Sequence, residues 1–575
     1  MRFSESLYQV RKIDNLKDMI EQSVKLFGSK NAFLIKGSDS IYNGITYDQF
    51  KKDIDYLGTA LTNLGLKDGF IAVVGENRYE WCVTYLATIN GVGVIVPMDK
   101  ELPACEMQNL LSISNAEAIV FSGKLGNKIK EILGSLESVK YYIDMDLKED
   151  SGEYLSFAKL IEKGRKLVEN GDKEYLDAEI DNNKMSALIF TSGTTDSAKG
   201  VMLSHGNICA NIISVCSTVH VDENDSSLSI LPLHHTYECT LGFLLMMYKG
   251  GTLAFCEGLK HIVKNLKEVK PTVLISVPLL LESIYKKIWD QVKKKRGAKT
   301  LLKIMISVNS FLRSVLKMDL SKKLFKKVHE NLGGRIRLVI TGAAAIDPIV
   351  PKGFRKLGIP ILQGYGLTEC SPLVIGNRDK QYIDSSIGLP IPRVEVKIKD
   401  PDENGIGELI VKGPNIMLGY FNNEEATKRV IRDGWFHTGD LGKKDKSGFY
   451  YITGRIKNVI ITKNGKNIFP EELETYINRS PFVQESFVYG KFDKTSGDTQ
   501  VNVQIFPNID VIKEKFKEVN ISKEQIMEVL SEVIKNVNRN IPLYKHIKGF
   551  TIRDNDFIKT TTQKIKRYVE IQKTN

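Results

Sequence analysis

Several features that mark membrane, secreted and zinc-binding proteins are missing from this sequence. No apolar run approaches the ~20 residues that a bilayer-spanning helix requires. The amino-terminal stretch Met-Arg-Phe-Ser-Glu-Ser-Leu lacks the apolar segment of a signal peptide. The seven cysteines are odd in number and include no C-x-x-C pair, so neither a disulfide framework nor a zinc site is indicated. The sequence therefore predicts a protein of the reducing cytoplasm.

The chain has instead the composition of a large folded enzyme. Its 575 residues are 42% hydrophobic and 26% charged, enough to bury a sizeable core in several domains. Strand-like runs at 116–121, 140–143 and 335–340 alternate with helix-like segments, one of which begins at Pro278. This alternation predicts α/β layers with much parallel sheet. Period-two runs at 394–398 and 407–412 then predict a smaller β-rich section.

The formal net charge of +12 raises the question of an acidic partner. The lysines are diffuse except between residues 286 and 327, where apolar residues are interleaved with them. Few aromatics and no nucleic-acid-binding module occur there, so we expect no nucleic-acid partner. A solvated helical face, an amphipathic helix on an anionic membrane and a contact with substrate phosphates remain open.

The segment 191–200 has the composition of a phosphate-binding loop. It reads Thr-Ser-Gly-Thr-Thr-Asp-Ser-Ala-Lys-Gly, between strand-like runs at 186–190 and 201–205. Glycine lets backbone N–H groups approach an anion, hydroxyls donate to phosphate oxygens, and lysine neutralises charge. The P-loop pattern G-x-x-x-x-G-K-[ST], counted from Gly193, fails because Ala198 and Gly200 stand where it requires Gly and Ser or Thr.

The segment resembles instead the phosphate loop of the adenylate-forming, or AMP-binding, superfamily, which includes acyl-CoA synthetases, luciferases and nonribosomal adenylation domains. The usual form of that loop is T-S-G-T-T-G-x-P-K-G, from which this chain departs at Asp196 and Ala198. Further motifs of the superfamily follow in order over nearly the whole chain, at 231–238, 341–345, 363–369, 434–440, 450–458, 462–472 and 559–567. A lysine-rich insertion at about 286–334, with the segments 74–78 and 97–102, resembles the long-chain fatty acyl-CoA synthetase branch.

The resemblance implies a role for each matched residue. The implied binding residues for the nucleotide and coenzyme A are Thr191, Ser192, Gly193, Thr194, Thr195, Lys199, Gly342, Ala343, Ala344, Gln363, Gly364, Tyr365, Gly366, Asp440, Arg455, Lys457 and Gly465. The implied catalytic residues are His235, Thr368, Glu369 and Lys564, and the implied Mg²⁺ ligands are Thr191 and Glu369.

These roles suit the chemistry of the side chains. Tyr365 offers a face to adenine, Thr368 can donate to the α-phosphate, and Glu369 is a hard oxygen ligand for Mg²⁺ beside phosphates. Asp440 is suited to accept both ribose hydroxyls, and His235 lines the acyl pocket or its gate.

Four other residues are placed by the resemblance in or near the C-terminal region. Arg455 reaches the ribose and phosphates, Lys457 stands at the hinge between domains, and Gly465 lies along the pantetheine of coenzyme A. Lys564 takes the terminal catalytic position, although Gln563 precedes it where the family often has glycine.

The resemblance also implies the fold and the function. We expect an α/β protein with a large N-terminal domain of layered α/β subdomains plus a β-rich subdomain (1–455) and a small mobile α+β C-terminal domain (456–575). The expected activity is that of an ATP-dependent acid–thiol ligase, which converts a fatty acid to acyl-AMP and transfers the acyl group to coenzyme A, with ATP and Mg²⁺. An acyl-AMP ligase that serves an acyl carrier protein and a non-catalytic nucleotide-binding relative are the alternatives. Peripheral contact with an anionic membrane at its inner face is also expected, and the oligomeric state stays open.

We predict that Lys564→Ala blocks the first half-reaction and spares the second. An ammonium near the α-phosphate would stabilise developing charge, and losing one preorganised contact of this kind costs about 10²–10³ in rate. Acid-dependent pyrophosphate release should fall by that factor, whereas a supplied acyl-adenylate plus coenzyme A should still yield thioester at a near-normal rate. Equal losses in both assays would refute a lysine that enters and leaves the site.

Overall fold

The chain divides into two units of unequal size. The computed structural model describes residues 6–37, 39–191, 198–293, 297–463, 466–493, 497–560 and 565–573. The larger unit comprises Met1–Glu395 and Val411–Phe436, and the smaller comprises Val396–Ile410 and His437–Asn575. A large α/β unit with a small additional unit confirms the expected fold class. The domain boundary between residues 455 and 456, and the mobility of the smaller domain, stay predictions.

The strands of both units are numbered here in chain order. They are β1 (Asn31–Lys36), β2 (Tyr42–Thr46), β3 (Gly69–Val74), β4 (Gly93–Met98), β5 (Ala118–Phe121), β6 (Tyr141–Asp144), β7 (Tyr154–Ser156), β8 (Met185–Thr191), β9 (Lys199–Ser204), β10 (Ser226–Ser229), β11 (Thr252–Phe255), β12 (Val273–Ser276), β13 (Leu338–Thr341), β14 (Ile361–Gly366), β15 (Leu373–Gly376), β16 (Leu389–Pro390), β17 (Glu395–Lys399), β18 (Gly407–Lys412), β19 (Gly419–Tyr420), β20 (Ile431–Arg432), β21 (Trp435–Lys444), β22 (Tyr450–Arg455), β23 (Ile460–Ile461), β24 (Asn467–Ile468), β25 (Val483–Asp493), β26 (Asp498–Pro507) and β27 (Ile547–Ile552). The strands expected from the sequence pattern correspond to β5, β6, β13, β17 and β18.

The helices are numbered in the same way. They are α1 (Leu16–Phe27), α2 (Tyr47–Asn63), α3 (Tyr79–Ala87), α4 (Ala104–Ser114), α5 (Gly126–Ile132), α6 (Phe157–Glu169), α7 (His205–Cys216), α8 (Leu245–Lys249), α9 (Ile262–Val269), α10 (Pro278–Lys293), α11 (Ala298–Val315), α12 (Ser321–Leu324), α13 (Lys326–Asn331), α14 (Ile349–Lys356), α15 (Glu424–Val430), α16 (Pro470–Asn478), α17 (Ile509–Phe516), α18 (Lys523–Asn538) and α19 (Arg567–Gln572). Two further segments, Thr88–Val92 and Tyr237–Leu244, are π-helical.

Two large sheets form the framework of the larger unit. One has nine strands in the order β16-β15-β14-β13-β12-β10-β11-β1-β2, and the other has eight in the order β19-β9-β8-β4-β3-β5-β6-β7. The central strands β5, β12 and β13 are buried along their whole length, as expected for parallel strands covered by helices on both faces. The predicted helix beginning at Pro278 is α10.

The register of three parallel strands aligns their carboxyl ends. Ser276 of β12 pairs with Thr341 of β13, which in turn pairs with Gln363 of β14. Ligands of open parallel sheets bind beyond the carboxyl ends of the strands. The predicted segment Gly342 to Ala344 therefore leaves the sheet beside Gly364, where β14 continues to Gly366 by pairing with β15.

The smaller unit holds separate antiparallel and mixed sheets. Strands β17, β18, β21 and β22 lie in one sheet, and β25, β26 and β27 form another. Helices α16 and α18 pack on the second sheet through a core that includes Leu473, Val503 and Leu530. Helix α16 begins with a proline and two glutamates, which suit a free helix N-terminus.

Within the described ranges, no helix combines the length and apolarity that crossing a membrane takes.

Candidate active site

Two glycines and Tyr237 pack closely together at the strand ends. A Cβ atom on Gly342 would stand 3.3 Å from the carbonyl oxygen of Gly364 and 3.5 Å from Cζ of Tyr237. The Tyr237 hydroxyl lies 3.2 Å from the carbonyl oxygen of Ser276 and 3.1 Å from that of Ile340, so its donated proton is shared at the sheet edge. Burial raises the pKa of Tyr237 far above that of a free phenol, so the side chain is neutral.

The predicted segments at this edge differ in their surroundings. Ala343 has a positive φ of 70°, an uncommon backbone conformation for a residue with a Cβ, and Ala344 is exposed. Tyr365 is half-buried and pairs with Ile375 on β15. Gly366 lies so close to Pro372 that a Cβ atom would stand 2.0 Å from the Pro372 carbonyl oxygen, which explains the glycine.

Lys199 and Glu369 meet at the ring of Tyr420. The Tyr420 hydroxyl donates to Glu369 Oε1 at 2.8 Å, and Lys199 Nζ lies 4.9 Å from the centroid of the same ring. The backbone N–H of Met417 donates to the Glu369 carbonyl oxygen at 2.9 Å. Tyr420 reaches this position because β19 pairs with β9, where Tyr420 lies opposite Val201. One phenol thus holds the predicted phosphate-loop cation and the predicted Mg²⁺ ligand close together.

Sequence reasoning missed Tyr420. It stands in Met417-Leu418-Gly419-Tyr420-Phe421, which has no charge and no hydroxyl cluster to suggest a site. Its only sequence signal is a tyrosine after a glycine, which is also common in ordinary turns.

The stem of the predicted phosphate loop is described, and its tip is not. Thr191 of β8 pairs with Lys199 of β9, and the Thr191 hydroxyl donates to the Lys199 carbonyl oxygen at 3.4 Å. The predicted residues Ser192, Gly193, Thr194 and Thr195 lie outside the described residues.

Thr368 is linked to the π-helical segment. Its hydroxyl lies 3.5 Å from that of Thr236, the residue before the π-helix, and Thr368 itself starts a short 3₁₀ helix that includes Glu369. The carboxyl end of β14 and the segment 231–238 therefore meet at these two hydroxyl groups.

The two histidines of the segment 231–238, for which an acyl-pocket role is predicted, lie side by side. The ring centroids of His234 and His235 are 4.3 Å apart, and the backbone N–H of His235 donates to the Pro232 carbonyl oxygen at 3.1 Å. Burial first, and Lys100 second, lower the pKa of His234 to about 3. His234 is therefore neutral near pH 7, and its 3.8 Å approach to Asp99 is not an ion pair.

Asn77 holds the histidine segment in place. Its amide donates to the Leu231 carbonyl oxygen at 2.6 Å and to the Ser229 hydroxyl at 2.8 Å, and its Oδ1 accepts from the Leu233 N–H at 3.0 Å. This contact gives a physical role to the predicted segment 74–78, which lies far away in sequence.

Glu238 is a buried carboxyl that sequence reasoning left without a role. It is 1% exposed, its Oε1 accepts from the Ser229 hydroxyl at 2.6 Å, and its Oε2 has no hydrogen-bond partner within the described part of the chain. A Cβ atom on Gly242 would lie 2.6 Å from the Glu238 carboxyl carbon, so only glycine leaves room. Burial raises the pKa of Glu238 to about 8, and the group is mostly a neutral acid near pH 7.

In the smaller unit, Asp440 is paired with Arg455. The two residues face each other on β21 and β22, and Arg455 Nε donates to Asp440 Oδ1 at 2.7 Å. Asp440 is 5% exposed, and its N–H donates to the Thr438 hydroxyl at 3.0 Å. Lys457 is exposed in a short 3₁₀ helix just after β22. Two other predicted residues of this unit, Gly465 and Lys564, lie outside the described residues.

The chain on both sides of the undescribed segment 561–564 is firmly held. Lys559 forms a β-bridge with Ile565, and its ammonium lies 2.7 Å from Glu485 Oε2. Arg567 is paired with Glu474 and lies 3.5 Å from Glu471.

The donor set suits a magnesium ion shared with a nucleotide. Among the described residues, no group of three or more His, Cys, Asp or Glu side chains is placed to hold a metal. Mg²⁺ in phosphate-transfer sites takes one or two carboxylates and fills its other positions with phosphate oxygens and water. Glu369 as the one carboxylate, with Thr191 near the loop, fits that requirement.

Comparison with known proteins gives a consistent result. The family model described as AMP-binding enzyme matches residues 20–421, and that of the AMP-binding enzyme C-terminal domain matches residues 457–571. Fatty acyl-CoA synthetase B of Dictyostelium discoideum is 26% identical over 98% of this chain and 89% of its own. Long-chain-fatty-acid–CoA ligase 5 of Mus musculus is 29% identical over 92% of this chain and 83% of its own. The solved structure of the anthranilate CoA ligase AuaEII with anthranoyl-AMP shares the fold, with a TM-score of 0.76, 20% identity and coverage of 99% and 97%.

We predict that Glu238→Gln stabilises the protein in a pH-dependent way. The unfolded carboxyl ionises near 4.5, whereas the folded one ionises near 8. The wild type therefore loses stability as pH rises between these values, by up to ~1.4 kcal/mol per pH unit. The amide variant lacks this loss, so its advantage in free energy of unfolding should widen from pH 5 to pH 8 and stay constant above. Denaturant unfolding across this range measures it. An advantage that does not depend on pH would mean that the folded carboxyl is ionised.

Proposed function

Since the chain belongs to the AMP-binding enzyme family, we propose that it is an AMP-forming ligase that joins a long-chain fatty acid to coenzyme A. In the first step a carboxylate oxygen attacks the α-phosphorus of ATP, and the bond to pyrophosphate breaks. In the second step the coenzyme A sulfur attacks the acyl carbon, the thioester forms, and AMP leaves. Curated relatives with this activity in their names extend over nearly the whole chain.

One observation carries the proposal. A cation and a carboxylate from the two large sheets meet at Tyr420: Lys199 begins β9 of the eight-stranded sheet, Glu369 follows β14 of the nine-stranded sheet, and the hydroxyl-bearing Thr368 precedes Glu369 in sequence. Phosphoryl-centred displacement needs positioning and charge neutralisation more than covalent help from the protein. These three groups supply both, whereas a packing role would not require a lysine and a glutamate on one phenol.

We place the nucleotide and the acid at the sheet edge formed by Gly342 and Gly364. We assign adenine to the neighbourhood of Tyr365, the α-phosphate to Thr368, and the acyl group to the side of His235 and Tyr237. His234 and Tyr237 are neutral at pH 7, so this side presents no fixed charge from either residue. Bound Mg²⁺ would supply positive charge to the phosphates, held by Glu369 and Thr191.

The roles of Asp440, Arg455, Lys457, Gly465 and Lys564 rest on the motif matches. Asp440 is the proposed acceptor of the ribose hydroxyls, and Arg455 orients it through the hydrogen bond between them. Lys564 is the proposed cation for the first half-reaction.

The proposed partners are small molecules, the fatty acid and coenzyme A. We propose a cytoplasmic location with peripheral contact at the inner face of an anionic membrane, and no nucleic-acid partner. All seven cysteines are free thiols, in keeping with a reducing compartment.

A carboxylate panel tests the function directly. Acids from acetate to a C20 chain are supplied with ATP, with and without coenzyme A, and AMP, pyrophosphate and thioester are measured. We expect acid-dependent ATP–pyrophosphate exchange without coenzyme A and thioester only with it, best with long chains. Exchange without any thioester would favour transfer to an acyl carrier protein, and no exchange would favour a non-catalytic relative.

The contact at Tyr420 yields a second test. Glu369→Gln should lose about 10²–10³ of the adenylation rate and recover part of it when Mg²⁺ is raised. Tyr420→Phe keeps the ring beside Lys199 but removes the hydrogen bond to Glu369, so it should raise the Mg²⁺ requirement about tenfold. Glu117→Gln, which removes a carboxylate paired with Lys140 just before β5 and β6, at the far end of the sheet from β19, is the control and should change neither. A Glu369→Gln variant with the Mg²⁺ titration of the wild type would rule out the ligand role.

A further inference from the structure

Helix α11 carries an apolar stripe that faces solvent. Leu301, Ile304, Val308, Phe311 and Val315 are spaced by three and four residues, so they line one side of the helix. Their side chains are between 48% and 62% exposed, and Leu316 and Met318 continue the exposed apolar surface beyond the helix end. Single exposed apolar residues are ordinary, but a continuous row of five on one helix marks an interaction surface.

The other side of α11 is fixed to the larger unit. The Asn309 side chain is 1% exposed, donates to the Ser321 hydroxyl at 2.8 Å and accepts from the Leu320 N–H at 2.9 Å. Arg313, near the C-terminal end of the helix, donates to the Arg355 carbonyl oxygen at 3.4 Å. The stripe is therefore a presented surface, because the helix buries a different face.

The charge of the protein is concentrated around this helix. Residues 286–334 contain 14 Lys and Arg against three Asp and Glu, a net charge of +11 out of +12 for the whole chain. Helix α11 itself contains no acidic residue, and the nearby Lys317, Lys322 and Lys323 are exposed. The other 526 residues sum to only +1.

We propose that α11 is a membrane-docking helix, which lies along the surface of an anionic bilayer with its apolar stripe among the acyl chains. An apolar stripe bordered by cations is the arrangement that binds such an interface. A second copy of the chain fits less well, because it would bring another +11 segment against the first. The C-terminal stretch 456–575 also carries a net positive charge, +5, and is not complementary to it.

The proposed docking helix has a use in the proposed reaction. Long-chain acids partition into bilayers, so a ligase held at the surface would meet its substrate there. This use rests on the proposed ligase activity. The docking does not rest on that activity, and it places the proposed membrane contact on α11.

Vesicle co-sedimentation tests the docking without ATP, fatty acid or coenzyme A. The full chain is mixed with vesicles of phosphatidylcholine alone or with one-third phosphatidylglycerol. We expect binding to the anionic vesicles that weakens as salt rises, because exposed charges are screened. The double variant Ile304→Ser, Phe311→Ser should bind about tenfold more weakly for each substitution. Lys322→Glu with Lys323→Glu should weaken binding at least fivefold per residue.

A matched pair controls for the loss of exposed apolar surface. Leu26 and Ile41 are 62% and 61% exposed and lie outside the segment, so Leu26→Ser, Ile41→Ser should bind like the wild type. All variants should keep the wild-type Tm and the wild-type rate with a short, water-soluble acid. In addition, Phe311→Trp should give a fluorescence signal that brominated lipids quench more than they quench the wild type.

Three results would overturn the proposal. The first is equal binding to neutral and anionic vesicles, or no binding to either. The second is an equal loss of binding in the stripe variant and the Leu26→Ser, Ile41→Ser control. The third is a wild-type sedimentation coefficient that falls in the Ile304→Ser, Phe311→Ser variant, because the stripe would then be a contact between copies of the chain. If the protein shows no activity in the carboxylate panel but binds vesicles through α11, the docking proposal stands and the proposed function is rejected. If it is active in the panel but does not bind vesicles, the proposed function stands and the docking proposal is rejected.

Discussion

The phenol of Tyr420 is the contact on which the candidate site depends. Lys199 begins a strand of one large sheet, Glu369 follows the end of a strand in the other, and Tyr420 contacts both. Its own position is set by the pairing of β19 with β9, which adds it to the edge of the eight-stranded sheet. Without this ring, the lysine and the glutamate would have no common partner in the described residues to hold them together. A pattern of charges in the sequence alone would not produce the site, because the distance between the charges decides what they can bind.

Around this contact, burial keeps ionisable groups neutral. Tyr237, His234 and Glu238 belong to one segment of eight residues, and in each the neutral form is favoured by loss of water. The hydroxyl of Ser229 connects this neutral group to Asn77, so the segment is also held rigidly.

The distribution of charge on the surface differs from that at the candidate site. Nearly all of the net charge lies in one segment of 49 residues, next to an apolar stripe that the fold leaves uncovered. The rest of the chain is close to neutral. The candidate site and the proposed docking surface thus lie in separate parts of the same unit, so either can be altered by substitution without the other.

The sequence by itself determined the elements and the local motifs of this protein. Buried strands of Val, Ile and Leu, a proline-started helix and glycine-rich loops are visible in periodicity and composition, and the structure confirms β5, β6, β13 and α10 near their predicted bounds. The positions of Thr191, Lys199, Thr368 and Glu369 at element ends could be predicted as well, since their motifs are local.

Only the tertiary structure decided which of these residues meet and which stay exposed. Tyr420 touches residues 51 and 221 positions away in the chain, and no periodic pattern encodes a contact of that range. The neutral state of Glu238 depends on what surrounds it in the packed core, whereas a glutamate met in the sequence alone is expected to be negatively charged. Likewise, the apolar residues of α11 would suit a buried helix equally well. Periodicity shows that a helix has an apolar side, but which side finds a partner depends on every other element of the fold.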